Sequence, residues 1–327
     1  MRTIKTVIYS SLLLLGSCIA QKPTERVEFN AVNFYPEGVV YHPGTNAYYI
    51  ASERLGSIGK VTPDGKYTEL YADKNMKSAY GIKVHPDGKS LYVCVSDANY
   101  SIYSTPDTKK KMIRLVGIDI ATGKKTMDVD LSGLVPGEHF GNDLTFDGDN
   151  NAYITDSYAD VIYKVTPSGQ ASVFSQNKMF KTEGISLNGI VFHPGGYLLV
   201  ASTGAGALYK VDIKQPEDVK KVKISQLLLG ADGLLLNDAS HITVVINGGS
   251  GKIMKFETMD DWGSAKLNAT TLLSDRFTYP TTATKNGEDV WVVNAKSNEL
   301  NDSTAFPSKY FAIQKAVMKP IPKKLAE

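Results

Sequence analysis

Apolar and polar positions alternate in short runs along almost the whole chain, and each run stops at a turn. "SLYVCVSD", "DVIYKVTP" and "HITVVIN" show the pattern. A period of two belongs to strands with one buried face. Pro-Asp-Gly, Pro-Gly and Asn-Gly punctuation recurs at hairpin spacing, and helical periodicity is nearly absent. The strands come in sets. Six segments share one plan, in which a polar or small residue, often followed by glycine, opens a strand, a turn and a second strand. They are "PEGVVYHPGTNAYYIAS", "AYGIKVHPDGKSLYVCVSD", "FGNDLTFDGDNNAYITDS", "LNGIVFHPGGYLLVAS", "ADGLLLNDASHITVVIN" and "YPTTATKNGEDVWVVNAK". Further strands follow, as in "GSIGKVTPDGKYTELY" and "DVIYKVTPSGQASVFS".

The first positions of these units are Glu37, Tyr80, Asn142, Asn188, Asp232 and Pro280. They recur at roughly 45 residues, with one longer interval after the second unit. Such a period with four strands per unit predicts an all-β chain folded as a six-bladed β-propeller, four antiparallel strands to a blade. The long interval holds an insertion from about Asp97 to Lys111, rich in Ser, Tyr, Thr, Asp and Lys, expected as a surface loop. The last unit is short of strands. "SKYFAIQKAV" would supply its third, and the early segment "RVEFNAV" its fourth, closing the ring. A single domain over residues 21–327 is expected, with no internal linker.

In a propeller the innermost strand of each blade runs along the central channel, so equivalent residues project to one level on the axis. Four of the six first positions, Glu37, Asn142, Asn188 and Asp232, carry oxygen. Two carboxylates buried together repel one another and lose hydration, and a hard cation resolves that cost. Oxygen ligands without His or Cys favour Ca²⁺ over Zn²⁺, with Mg²⁺ and Mn²⁺ also open. One Asn at a strand start is ordinarily a turn residue; four oxygen side chains in repeat register ask for more. Asp143, next to a ligand, is expected to hold the others in place. His42, His85 and His193 precede proline at one place in their repeats and read as turn residues, and His241 as a hairpin residue. His139 stands three residues before Asn142, where an imidazole could serve as a base. Glu53, Asp97, Asp156, Ser202, Asn247 and Asn294 end the second strands, either lining the pocket mouth or serving as ordinary strand ends.

The formal charge is +2, and with Arg2 and Lys5 set aside the basic and acidic residues balance. That argues against a nucleic-acid partner, which needs a basic face. Lys109–Lys111 reads as a solvated loop tip. Residues 1–20, with a basic start, a short apolar run and Leu15-Gly16-Ser17-Cys18, read as an export signal. Either Cys18 is lipidated at the mature N-terminus, or cleavage after Ala20 discards it. The expected location is therefore the periplasm or cell envelope, or the exterior, and any membrane contact runs through the lipid alone. Cys94, the one remaining cysteine, sits in an apolar alternating strand and is expected buried and inert.

"PEGVVY", "GNDLTF", "LNGIVF" and "ADGLLL" resemble the Glu, Asn, Asn and Asp segments of the senescence marker protein/gluconolactonase family. The same arrangement recurs in the wider six-bladed group with diisopropyl fluorophosphatase and the paraoxonases. The resemblance spans about residues 30–317. It implies a divalent metal, usually calcium, at Glu37, Asn142, Asn188 and Asp232, and hydrolysis of lactones, esters or phosphotriesters; a monomer is expected. Asp232 is then the first candidate base and His139 the second. Sugar-lactone members carry Arg two residues before the blade-three Asn; Phe140 stands here, which points to a more apolar substrate. Paraoxonases carry an acidic residue after the first Glu for a second calcium; Gly38 stands here. Strictosidine synthases lack the acidic quartet. The rival expectations are a non-catalytic exported propeller that binds a partner or ligand, and one in which calcium only pins the blades together.

Overall fold

The computed structural model describes residues 25–322. Residues 1–20, expected from sequence to be an export signal with Cys18, lie outside the described residues. Six antiparallel sheets form a ring, and the described residues contain five short 3₁₀ turns and no α-helix. Blade 1 runs Pro36–His42, Ala47–Ser52, Ser57–Val61 and Tyr67–Ala72 from the axis outward. Blade 2 takes Ser78–Val84, Ser90–Ser96, Ile113–Asp119 and Lys125–Asp130; blade 3 takes Gly141–Phe146, Ala152–Asp156, Val161–Val165 and Ala171–Gln176. Blade 4 has Leu187–His193, Tyr197–Ser202, Ala207–Asp212 and Val219–Lys221. Blade 5 has Ala231–Asp238, His241–Ile246, Lys252–Glu257 and Ser264–Thr270, extended at its rim by Lys223–Ile224 and Lys319–Pro320.

Blade 6 closes the circle from both ends of the chain. Pro280–Asn286 and Asp289–Asn294 are followed by Tyr310–Lys315, and Arg26–Asn30 pairs with that strand as the outermost. Both segments singled out in the sequence for this closure do the work. A ring sealed this way leaves no open sheet edge at its seam. The junction buries Phe29, Phe34, Tyr35, Phe311 and Ile313 in one apolar cluster.

Strands hold together within blades by pairing, and blades hold together by packing apolar faces. Tyr153, Ile162, Leu198 and Val200 fill one gap between blades 3 and 4, and Leu199, Leu208, Val244 and Phe256 fill the next. Cys94 is fully buried among Leu115, Leu144 and Ile154 as a small hydrophobe, with its thiol pKa pushed up by burial. The turn histidines staple neighbouring blades at the channel's far end. His42 meets the Gly88 carbonyl at 3.1 Å and His193 meets Ala239 at 2.8 Å, whereas His85 stacks on Tyr92.

One irregularity recurs in all six blades. The pairing of the first two strands slips at the same place, between Pro36 and Gly38, Ala79 and Ile82, Gly141 and Leu144, Leu187 and Ile190, Ala231 and Leu234, and Pro280 and Ala283. A bulge there bends the strand and re-aims the side chain it carries. Glu37, Asn142, Asn188 and Asp232 all lie inside it. The inner strands also crowd. A Cβ on Gly38 would stand 2.3 Å from the Tyr80 carbonyl oxygen, and one on Gly189 would stand 2.4 Å from that of Asp232. Glycine after the bulged residue lets the next blade come in.

Candidate functional site

The bulges bring the four sequence-predicted oxygen side chains to one level, and all four are buried: Glu37, Asn142, Asn188 and Asp232. The equivalent residue is Tyr80 in blade 2 and, by strand register, Thr281 rather than Pro280 in blade 6. Thr281 donates its hydroxyl to the Glu37 carbonyl at 2.6 Å, locking blade 6 to blade 1 beside the site.

A second tier supports three of the four. Asn142 donates its amide to Ser157 Oγ at 3.1 Å, Asn188 donates to Thr203 Oγ1 at 3.1 Å, and Asp232 accepts from the Asn247 amide. The hydroxyls fix the amide orientation. Ser157 spends its proton on the Leu187 carbonyl and Thr203 spends its own on Ala231, so each can only accept from the asparagine. Nδ2 of each asparagine therefore faces the hydroxyl, and Oδ1 is left free. Of the strand-end residues read from sequence, Glu53 and Asn247 stand in this tier. Blades 3, 4 and 6 present Ser157, Thr203 and Ala295 there instead, one residue beyond Asp156, Ser202 and Asn294.

Glu37 has no such partner. Its Oε2 is buried without a hydrogen bond. Burial holds its pKa well above the usual carboxylate range, and the charges of Asp232, Asp143 and Glu53 push the same way against Lys83. Asp232 is raised as well, by burial first, with the Asn188 and Asn247 amides pulling down and Asp143 and Glu53 pushing up. These carboxyls and free amide oxygens fit a hard cation, because a positive charge relieves the repulsion and supplies the missing partner. Among the described residues no three His, Cys, Asp or Glu side chains gather to hold an ion by themselves. A metal here needs the two asparagine oxygens.

Asp143 Oδ1 takes the Lys83 ammonium at 2.8 Å and the Leu144 N–H at 2.9 Å. Lys83 was not singled out in the sequence. It lies on an innermost strand three residues beyond Tyr80, and a lone channel lysine gives no signal until the ring closes.

His139 is buried and faces away from this chemistry. Its Nδ1 meets Asp156 Oδ2 at 2.7 Å, and Asp156 also accepts from the Phe140 N–H at 2.8 Å and the Tyr163 hydroxyl at 3.2 Å. Burial pulls the imidazole pKa down, but the hydrogen bond and charge of Asp156 outweigh it, so His139 is raised. That arrangement anchors the strand ends carrying Asn142 and Ser157. Phe140 is buried edge-on to Tyr80 and against Tyr158, at ring distances of 4.8 and 5.4 Å. It builds wall instead of offering an open apolar face.

The 97–111 insertion is more than a surface loop. Asp97 ties it down by accepting from Ser104 and Thr108. Ile102 N–H reaches the Arg54 carbonyl of blade 1, Tyr100 reaches Asn301 between the second and third strands of blade 6, and Asn99 takes the Tyr158 hydroxyl of blade 3. Beside this cover a cavity of about 570 Å³ remains, lined by Asn247, Ser250, Phe277, Tyr279, Lys296 and Glu299. Asn247 connects it to Asp232.

No protein-family model matches the sequence, nor does any curated protein. Solved structures do share its shape. The major allergen Mala s 1 of Malassezia sympodialis superposes with a TM-score of 0.72 at 16% identity, over 90% of this chain and 96% of that one. Virginiamycin B lyase from Staphylococcus aureus gives 0.58 at 14%, over 89% and 99%. A protein provisionally assigned as a gluconolactonase gives 0.53 at 14%, over 92% and 95%. An allergen, a lyase and a lactonase candidate on one scaffold make the point that, at these identities, the likeness establishes the six-bladed propeller and leaves the chemistry to the site.

Proposed function

We propose that this chain is an exported, metal-dependent hydrolase of the gluconolactonase type that opens lactones or cleaves esters. The observation that carries the reading is the buried Glu37–Asp232 pair with two oriented asparagine amides. No scaffold needs two like charges on its axis, and both carboxyls remain raised without a cation. Glu37, Asn142, Asn188 and Asp232 would hold a divalent ion, calcium ahead of magnesium, manganese or zinc. When bound, that ion supplies polarisation of the substrate carbonyl.

The residues of the chain do the rest. Asp232, steadied by Asn247, takes the proton of the attacking water and returns it to the leaving oxygen. Ser157 and Thr203 hold the amides so that nothing reorganises as charge develops. The insertion bridges blades 1, 3 and 6, and substrate enters from the side of blades 5 and 6, where the cavity opens. His139 serves as an anchor and takes no proton from substrate.

A lactone and aryl-ester panel, run with and without chelator, tests this. Turnover should require added calcium, and Glu37→Gln and Asp232→Asn should each lower kcat/KM at least about 100-fold. Turnover indifferent to both chelator and variants would refute the assignment. Chelator-dependent melting without any turnover would instead leave the ion a purely structural role.

A further inference from the structure

Blade 1 breaks the rule that blades 3, 4 and 5 obey. In those blades the second-tier residue completes a donor–acceptor pair with the axial one: Ser157 with Asn142, Thr203 with Asn188, Asn247 with Asp232. The register of blade 1 puts Glu53 in that tier against Glu37, and its N–H bonds the Tyr35 carbonyl as Ser157 N–H bonds Phe140. Two carboxyls face the same corner with no donor between them. Both keep an oxygen without a partner, Glu37 Oε2 and Glu53 Oε1.

The corner gathers further orphans. Tyr80 OH and Ser297 Oγ are also unpartnered, and all four residues are more than nine-tenths buried. Ser297 lies beside the Glu53 carboxyl without closing a hydrogen bond on it. Ser78 donates to the Glu53 carbonyl, which ties this strand end to the inner strand that carries Tyr80. The Arg54 Nε next in the chain is orphaned as well. Buried polar atoms are almost always paired, so several unpaired ones in one place mark where an outside group belongs. Burial pushes the Glu53 pKa up to about 8, with Ser297 and Arg54 pulling down, as expected of a carboxyl short of donors.

We propose that Glu53, with Tyr80 and Ser297 beside it, forms a recognition subsite for a hydrogen-bond-donating substituent, a hydroxyl or an amine, carried by the substrate close to its reacting carbonyl. This rests on the hydrolase reading above, because the subsite adjoins Glu37. A hydroxyl gives one proton to Glu53 and accepts from Tyr80 or Ser297; an amine gives more protons and keeps one lone pair while neutral. A site built to pair a polar substituent discriminates strongly against the analogue lacking it, since its own groups are then stranded. Substrate preference thereby moves to polar acyl groups, against the apolar preference that Phe140 suggests from sequence, because Phe140 is packed away in the wall.

The test is binding, not turnover. δ-Valerolactam and its α-hydroxy and α-amino derivatives, which resist hydrolysis, are titrated calorimetrically into the calcium-loaded full chain. The wild type should bind at least one derivative roughly tenfold more tightly than the parent lactam. Glu53→Leu should bring the ratio to about one without lowering the melting temperature, since it removes an unpaired buried carboxyl. Glu53→Gln should keep part of a hydroxyl preference through its amide oxygen and lose a preference for a charged amine. Equal binding of all three by the wild type, or a preference that survives Glu53→Leu, overturns the subsite. Binding of none of them overturns the hydrolase reading and the subsite with it.

Discussion

The two sides of the axis are built on opposite principles. On the side of blades 3 and 4 the side chains are tied down, and only the amide oxygens of Asn142 and Asn188 stay free toward the axis. Asn142 and Asn188 hang from hydroxyls whose protons go to the next blade, Asp143 holds Lys83, and Asp156 gathers an imidazole, a phenol and backbone N–H groups. On the opposite side, across blades 6, 1 and 2, Ser297, Glu37, Glu53 and Tyr80 keep buried atoms unpaired. The saturated half is a rigid holder, and the unsaturated half waits for a ligand. Stability and function are thus separated around a single ring, with strain kept where binding can relieve it.

The comparison breaks most sharply with pH. Glu53 is raised from the ordinary carboxylate range to about 8 by burial. For a group raised on folding, the stabilising contribution is complete below its unfolded pKa and lost as pH climbs through its folded one. The calcium-free protein should therefore weaken between about pH 4 and pH 8. The share due to Glu53 is on the order of 5 kcal/mol. Glu37 and Asp232 push in the same direction. Urea melts in chelator at several pH values would show it, and Glu53→Gln should flatten the slope. An unchanged slope in that variant would mean the blade 1 corner is not short of donors.

The saturated side predicts a different response. His139→Ala strands the buried Asp156, which still keeps the Phe140 N–H and the Tyr163 hydroxyl. The cost should be about 3 kcal/mol of stability. Turnover per folded molecule should stay within a few-fold. A collapse of kcat at unchanged stability would make His139 the base after all, and the division of the ring would fail.

Much of this architecture is legible in the sequence, and the illegible part has a physical reason. The repeat exposes the blades, and the paucity of strands in the sixth unit exposes the closure by "SKYFAIQKAV" and "RVEFNAV", because both are set by strand periodicity. The axial residues are legible because four blades repeat one oxygen-bearing position. Their supports are not. A polar residue stands at or just past the end of most second strands, so Asp156, Ser202 and Asn294 look equivalent to Glu53 and Asn247, while the strand pairing makes Ser157, Thr203 and Ala295 the true counterparts. The pairing likewise puts Thr281, not Pro280, at the axial position of blade 6. Nor can the alternation of strand residues show that Lys83 meets Asp143 across the channel, or that the 97–111 insertion crosses to blades 1, 3 and 6. Those are contacts between repeats, and a repeat describes only itself.

The finest division lies within the holder. Ser157 and Thr203 do the same job for Asn142 and Asn188, and each spends its own proton on the following blade. Ser157→Ala and Thr203→Val should cost about 1–2 kcal/mol apiece in thermal melts, since each leaves a buried carbonyl and an amide short of a partner. Because the amide is then free to flip, calcium affinity should fall about 10-fold as well. Glu37 has no hydroxyl to lose. Its counterpart variant, Glu53→Gln, adds a donor to the corner and should hold or raise calcium-free stability. Opposite signs for changes at one tier of one ring would follow from nothing but which blade carries them. If the Ser157 and Thr203 variants left calcium affinity untouched, the asparagines would be oriented by something other than these hydroxyls, and the rigid half would need another explanation.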